Sequence, residues 1–420
     1  MNQIRNIKGT HDILPENTQR WQKLESIVNE VCSQFGYNEI RTPIFEETRL
    51  FSRSVGEDTD IVSKEMYTWE DKDGTSLTLR PELTASVART YIQHNMAAKS
   101  PIQRLYYMGP LFRRERPQKG RQRQFHQFGV EAFGSSNPEQ DAEVIAIAWH
   151  ILSRCNLSNN TKLNLNSIGS KECKNAYRNA LKEFLSPKFD QLSEPSQKRF
   201  LHNPLRILDT KSKKELNLLE KAPKISNYYT NNDKIHFELL KDFLESMEIP
   251  FIINDYLVRG LDYYTSTVFE FSCAQLGAQD AILGGGRYDN LVEILGGKST
   301  PGIGFAAGME RFLIAMNDFD KHKHSNIDIY FVCPNEAGLS KTLQLANQLR
   351  TNGFRVIFDP LRRSMKSQLR EANKLGARFA LILGEDEMKN DTIGFKNLKK
   401  SIQKTILQSE VLNFFDNLTN

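Results

Sequence analysis

The sequence predicts a mixed α and β fold in two parts: a body of helices and strands interrupted by a helical insertion, then a small α/β domain. Three observations carry this. Residues 104–133 read as a β-hairpin, and strand-like, glycine-rich segments resume over 251–316. Between them, over about 169–250, the chain is rich in Lys, Ser and Asn, is broken by Pro187, Pro195, Pro204 and Pro223, and otherwise looks helical. Beyond 327 the hydrophobic period switches repeatedly, giving strand 329–333, helix 339–350, strand 354–358, helix 365–375 and strand 379–383. That βαβαβ rhythm predicts parallel strands with crossover helices.

At 420 residues the chain is expected to hold more than one domain. The expected boundaries are 1–168 for the first part of the body, 169–250 for the insertion, 251–325 for the second part with a polar linker, and 326–420 for the tail. After Pro15 an apolar stripe of Trp21, Leu24, Val28, Val31 and Phe35 predicts a helix ended by Gly36, and Pro43 marks the extended segment that follows. In the linker, 317–326, His322 and His324 read as part of a solvated segment rather than as metal ligands.

Apolar residues make up 39% and charged residues 25% of the chain, ordinary values that exclude wholesale disorder. No run of 18 apolar residues occurs, so no membrane span is expected, and the polar residues 1–12 predict no secretory signal. The cysteines (Cys32, Cys155, Cys173, Cys273 and Cys333) are scattered and never form a C-x-x-C pair, which predicts reduced thiols, a cytoplasmic location and no zinc site. From 327 to 420, 14 lysines and arginines stand against 10 aspartates and glutamates, so a basic tail hangs on a nearly neutral body, as suits a polyanionic partner.

Chemistry concentrates after the first strand of the hairpin. Six of the eleven residues from 113 to 123 are basic, a concentration that repels itself in a loop unless an anion is present. In the following strand, period two puts Arg123, Phe125, Gln127, Gly129 and Glu131 on one face and His126, Phe128, Val130 and Ala132 on the other. The first face offers an aromatic ring, an amide, bare backbone and a carboxylate to a ligand; the second is apolar enough to pack. Two glycine-rich segments fail the common nucleotide fingerprints. Gly297-Lys298-Ser299 lacks the first glycine of a P-loop, since Val292 stands there, and Gly302-x-Gly304-x-x-x-Gly308 misplaces a dinucleotide glycine. Gly304 and Gly308, with Arg311 beyond, suggest instead a strand-to-helix junction that approaches a ligand closely, and Gly284-Gly-Gly-Arg-Tyr-Asp289 a strand entering a tight turn.

These stretches resemble the class II aminoacyl-tRNA synthetases, and within them the histidyl-tRNA synthetases. Gly36-Tyr37 through Arg41-Thr42-Pro43 resembles motif 1, Phe112-Arg113-x-Glu115 through Glu131 motif 2, and Gly302 through Arg311 motif 3. Leu257-Val-Arg-Gly-Leu-Asp-Tyr-Tyr264, Gly284 through Asp289 and Leu79-Arg-Pro-Glu-Leu-Thr84 are similar to stretches of the histidine enzymes. Leu83 and Arg114 depart from the family pattern beside proposed site residues.

The resemblance implies an α+β catalytic core, a six-stranded antiparallel sheet flanked by helices, in a homodimer, with a C-terminal α/β anticodon-binding domain. It implies a ligase that activates L-histidine with ATP, accompanied by Mg²⁺, and then charges histidine tRNA. Glu82, Thr84 and Gln127 would hold the amino group of histidine and Glu131 and Tyr264 its imidazole nitrogens, with Tyr263 and Tyr288 closing the pocket. Arg113 would take the α-phosphate, Phe125 and Arg311 the faces of adenine, Glu115 the base and Arg121 the outer phosphates. Arg259 would stand as a catalytic cation by the α-phosphate. Arg116, Gln118 and Arg123 would meet the tRNA acceptor end, and Arg355, Arg362, Arg363, Lys366 and Arg370 of the tail would face RNA. A regulatory paralogue that binds histidine without charging tRNA is the rival reading; the presence of Arg113, Arg259, Arg311 and the tail argues against it.

Overall fold

In a computed structural model, which describes residues 3–419 apart from 57–58, 119, 211, 278–279, 317–326 and 401, the N-terminal stripe becomes the helix Pro15–Gln34. Gly36 lies just past its end at φ +75°, a left-handed conformation that glycine adopts without Cβ strain. The expected linker, with His322 and His324, lies outside the described residues. Contacts divide the chain into two units, 1–319 and 320–420.

The first unit is built on an eight-stranded sheet. Across it the strands run Asn38–Glu39, Gln103–Phe112, Gln124–Phe133, Gly302–Gly308, Ala281–Arg287, Thr267–Cys273, Thr161–Ser167 and Phe251–Ile253. The six central strands pair antiparallel throughout. The expected six-stranded sheet is thus present but extended, because a short strand pairs parallel at each edge. Two or three residues are too few for alternation to show, so these edges carry no sequence signal. A separate three-stranded sheet joins Phe45–Glu47, Ser76–Leu79 and Tyr67–Glu70.

Alternation along the strands sends one row of side chains into a helical layer. Phe128, Val130, Ile303, Phe305 and Phe271 pack with Leu24, Val28 and Val31 of the first helix and with Val144, Ile147 and Ile151 of Pro138–Arg154. The insertion is helical as expected. Its last helix, Asn231–Ser246, sends Phe237, Leu240 and Leu244 into this same cluster. The opposite row, including Tyr107, Phe133, Val268 and Tyr288, meets the earlier insertion helices and the helix Thr84–Gln93. Each side chain on that face must be either covered or left to line a cavity, and this face carries the site.

One buried polar cluster ties these layers together. The carboxylate of Asp141, fully buried on Pro138–Arg154, pairs with the guanidinium of Arg287, which is 1% exposed at the end of Ala281–Arg287. It also accepts from Thr267 Oγ1 at 2.6 Å and bonds His236 Nε2 of the insertion at 2.9 Å. Arg287 donates further to the carbonyls of Ser135 and Asn137, at 2.8 and 3.1 Å, and to Asp289 at 3.1 Å.

The second unit has a five-stranded sheet in the order Val356–Phe358, Ile329–Val332, Phe379–Ile382, Thr392–Asn397 and Gln403–Leu407. The first three are parallel, as the rhythm predicts. The last two form an antiparallel extension, which the βαβαβ reading does not include.

Removing one member of the buried cluster leaves a charge without its counter-ion, the costly case for a buried pair. Asp141→Ala is therefore expected to destabilise the first unit by about 3–5 kcal/mol. Thermal and urea unfolding of the full chain check this, and a loss below about 1 kcal/mol would show that the cluster is not what fixes this part of the fold.

Candidate active site

The site-facing row of the central strands ends in a cavity of about 500 Å³. Its walls include Glu82, Thr84, Arg113, Arg121, Gln127, Arg259, Tyr263, Tyr264, Tyr288 and Arg311, residues from five separate stretches of the sequence. A second cavity of about 200 Å³ shares Arg113, Arg121, Gln127, Arg259 and Arg311 with it and adds Glu115 and Phe125. The two are one continuous depression with two ends of different character.

One end is backed by a carboxylate that is buried beneath its wall rather than exposed in it. Glu131, on Gln124–Phe133, is fully buried and accepts from three hydroxyls: Thr84 Oγ1 at 2.7 Å, Tyr107 at 3.1 Å, and Tyr288. The opposing strand must be bare for it to fit. Gly304 stands across from Glu131 in register, and a Cβ there would overlap the carboxylate. Burial pushes the Glu131 carboxyl up to about 8 against the pull of these hydroxyls. Nearby, Glu82 accepts from the backbone N–H groups of Thr84 and Ala85 at 2.7 and 2.9 Å, so it caps the helix Thr84–Gln93. Burial raises its carboxyl as well. Tyr263 sits 4.8 Å from the Tyr264 ring and 5.7 Å from the Tyr288 ring, so three buried aromatic rings close this end.

The other end is cationic. Arg113 Nε donates to the Pro81 carbonyl at 2.8 Å, and its guanidinium lies 5.3 Å from the Phe125 ring centroid. Arg121 pairs with Glu115 at 3.1 Å. Arg311 donates to the carbonyl of Ala281. Arg259 pairs with Glu270, and its guanidinium occupies the space that a Cβ at Gly284 would take. The Nε of Arg259 is buried with no hydrogen-bond partner among the described residues. An orphaned buried donor of this kind costs free energy until an acceptor reaches it.

Arg116, Gln118 and Arg123 are not brought into either cavity. Arg116 and Gln118 are exposed on the loop, and Gln118 exchanges backbone hydrogen bonds with Arg121. Arg123 Nε donates to the Glu115 carbonyl at 3.4 Å. In the second unit Arg355, Arg362 and Arg363 already face Asp328, Glu336 and Asp359. Sequence reasoning missed Tyr107 and Glu270. Both carried a signal: Tyr107 shares the site-facing alternation of Gln103–Phe112, and Glu270 is the charged residue within Thr267–Cys273.

Residues 9–312 match the histidyl-tRNA synthetase family model and residues 328–418 the anticodon-binding-domain model. The histidine–tRNA ligase of Natranaerobius thermophilus is 45% identical over 399 residues, covering 94% of each chain. The apo histidyl-tRNA synthetase of S. aureus superimposes with a TM-score of 0.83 at 37% identity, covering 98% of this chain and all of that one. The histidyl-tRNA synthetase from Nostoc has a TM-score of 0.70 with full coverage of both chains, and at 21% identity it speaks for the fold alone.

A raised carboxyl has a signature in stability. Below about pH 4.5 Glu131 is protonated folded or unfolded; as pH rises the unfolded chain releases its proton first, so stability falls until the folded group titrates near 8. Glu131→Gln, neutral at every pH, lacks this loss. The difference in melting temperature between Glu131→Gln and the parent should shift in favour of the variant from pH 5 to pH 8 and then level off. A difference that stays constant across that range would refute the buried, raised carboxyl.

Proposed function

This chain belongs to the histidyl-tRNA synthetase family and joins histidine to tRNA, and from that premise we propose that the two ends of the depression divide the work of activation. The observation that carries this reading is one depression with a cluster of arginines at one end and, at the other, a wall of Thr84, Tyr263, Tyr264 and Tyr288 backed by the buried Glu131. The carboxylate end takes the amino acid. Glu131 and Tyr264 meet the imidazole nitrogens, Glu82, Thr84 and Gln127 hold the amino group, and Tyr263 and Tyr288 close the walls. An imidazole offers one donor and one acceptor, or two donors when charged. A side chain that cannot make those bonds leaves buried polar groups unpaired, which discriminates strongly.

The arginine end takes ATP. Adenine lies between Phe125 and Arg311 with Glu115 at its edge, Arg121 meets the outer phosphates, and Arg113 and Arg259 flank the α-phosphate. A carboxylate oxygen of histidine attacks the α-phosphorus, the bond to the bridging oxygen breaks, and pyrophosphate leaves with its electron pair. Negative charge grows on oxygens beside Arg113 and Arg259, where fixed cations in a water-poor site stabilise it. The terminal ribose hydroxyl of tRNA then attacks the carbonyl carbon of the adenylate, and AMP leaves.

Among the described residues no group of three or more His, Cys, Asp or Glu is placed to hold a metal. Mg²⁺ would accompany the nucleotide, taking one or two carboxylates and completing its shell with phosphate and water. Glu65 and Glu115, near enough that burial and then the charge of Glu115 raise the Glu65 carboxyl, line a neighbouring cavity with Asp60, Asp209, Arg113 and Arg121. In this reading 1–168 and 251–325 are the two parts of the catalytic core, 169–250 the insertion, and 326–420 the tRNA-binding tail. Arg116, Gln118 and Arg123 on the exposed loop meet the acceptor end, and Lys366 and Arg370, with the paired arginines of the tail, face the anticodon arm. A homodimer is supported by the small sheet, whose Phe45 and Trp69 rings lie 6.0 Å apart and are 52% and 40% exposed. The free cysteines fit a reducing cytoplasm. No helix among the described residues is long and apolar enough to cross a membrane.

ATP–pyrophosphate exchange with each of the twenty amino acids tests the assignment: only histidine should support strong exchange, and equal exchange with another amino acid would overturn it. Arg259→Ala should slow exchange a hundredfold or more, since a lost transition-state contact of this kind costs about 3 kcal/mol or more. The variant should keep its melting temperature, and exchange within a few-fold of the parent would remove Arg259 from the chemistry.

A further inference from the structure

Behind the loop that carries Arg259 lies a further cavity, of about 380 Å³, that the activation step leaves unused. It lies between the insertion and the core and shares a wall with the active site through Val258, Arg259, Leu261 and Tyr264. Its insertion side carries Lys171, Lys174 and Arg178, spaced three and four residues apart on the helix Lys171–Leu185, and Arg206. Such spacing puts the first three on one face. The acid within this lining is Asp262, which is already bonded by Asn203 at 3.0 Å and by Arg206 at 3.3 Å. Positive charge is therefore in excess.

Two further observations point to a missing anion. Arg178 lines the cavity, and its Nε is buried without a hydrogen-bond partner among the described residues. Burial and then the charge of Arg178 hold the Lys174 ammonium below its ordinary value, against the opposing pull of Asp262. Lys174 also donates to the Tyr264 carbonyl at 3.0 Å, which ties the cavity to the wall of the amino-acid end.

We propose that this cavity receives a phosphodiester of the 3′-terminal strand of tRNA, with Lys171 and Arg178 as its contacts, and so sets the terminal ribose against the activated histidine. The proposal rests on the assignment of the active site given above. The second step needs a polyanion to approach the same carbonyl that the nucleotide flanks, and this cavity opens beside Arg259 away from the adenine contacts. Free phosphate or pyrophosphate offers the same chemistry from another source.

The test uses the full chain carrying Lys171→Ala and Arg178→Ala together, with melting temperature, histidine-dependent pyrophosphate exchange and tRNA charging measured side by side. Exchange should stay within about twofold of the parent, while kcat/KM for tRNA falls about tenfold or more, the scale of lost charge-assisted hydrogen bonds. A tRNA whose last phosphodiester is replaced by an uncharged methylphosphonate should be charged poorly by the parent, and the double variant should lose little more on it. Unchanged charging of ordinary tRNA overturns the proposal. Equal losses in exchange and charging at an unchanged melting temperature also overturn it, by assigning the cavity to activation. A raised KM for pyrophosphate, with no penalty for the neutral linkage, overturns it in favour of the free anion. If the double variant melts below the assay temperature, Arg178→Gln, which keeps most of the stem, is put through the same comparison. A parent without histidine-dependent exchange would instead refute the assignment of the site itself.

Discussion

A guanidinium and a carboxylate as deeply buried as Arg287 and Asp141 stay charged because each is the other's counter-ion and their remaining hydrogen-bonding capacity is used. Burial would raise the Asp141 carboxyl, yet Arg287 and His236 outweigh it and hold the group below its ordinary value. The geometric consequence reaches the site directly. Arg287 precedes Tyr288, whose hydroxyl bonds Glu131, so fixing Arg287 against the helix Pro138–Arg154 fixes the strand end that presents Tyr288. His236 brings the insertion's last helix to the same carboxylate. Sheet, helical layer and insertion are thus pinned at one point, and the depression keeps its shape because that point cannot slide without stranding a charge.

Two electrostatic regimes follow within a single depression. At the Glu131 end a carboxyl is deeply buried, and burial raises it towards neutrality against the pull of the hydroxyls that hold it. At the Arg113, Arg121, Arg259 and Arg311 end the charge is positive and faces open volume. Desolvation sharpens both, since a low effective dielectric magnifies the benefit of a matching ligand as much as the cost of none. The proposed reading sets an amino acid at one end and a polyphosphate at the other.

The same economy of space explains the glycines. Gly304 clears room for the Glu131 carboxylate and Gly284 for the Arg259 guanidinium, each on a strand beside the group it admits. A side chain at either position would displace a charged group rather than merely fill a void. The sheet therefore acts as a floor that is bare where Glu131, on a neighbouring strand, and Arg259, on a loop outside the sheet, stand against it.

Much of this was legible in the residues. Periodicity located the first helix, the hairpin with its two faces, and the βαβαβ tail, because side-chain alternation and helical spacing are local consequences of burying one face. The clustering of arginines around 113–123 marked the stretch that brings Arg113 and Arg121 to the depression. The edge strands Asn38–Glu39 and Phe251–Ile253 and the tail hairpin stayed silent, because short pairings are stabilised by neighbours remote in sequence. Which hydroxyls ring Glu131, that Glu270 answers Arg259, and that Arg116 and Gln118 stay outside the cavities were decided by register between distant strands. Sequence by itself determined which faces are apolar and which charges must seek partners. Only the tertiary structure decided who those partners are, because Asp141 meets Arg287 and Thr84 meets Glu131 across separations that no local period encodes.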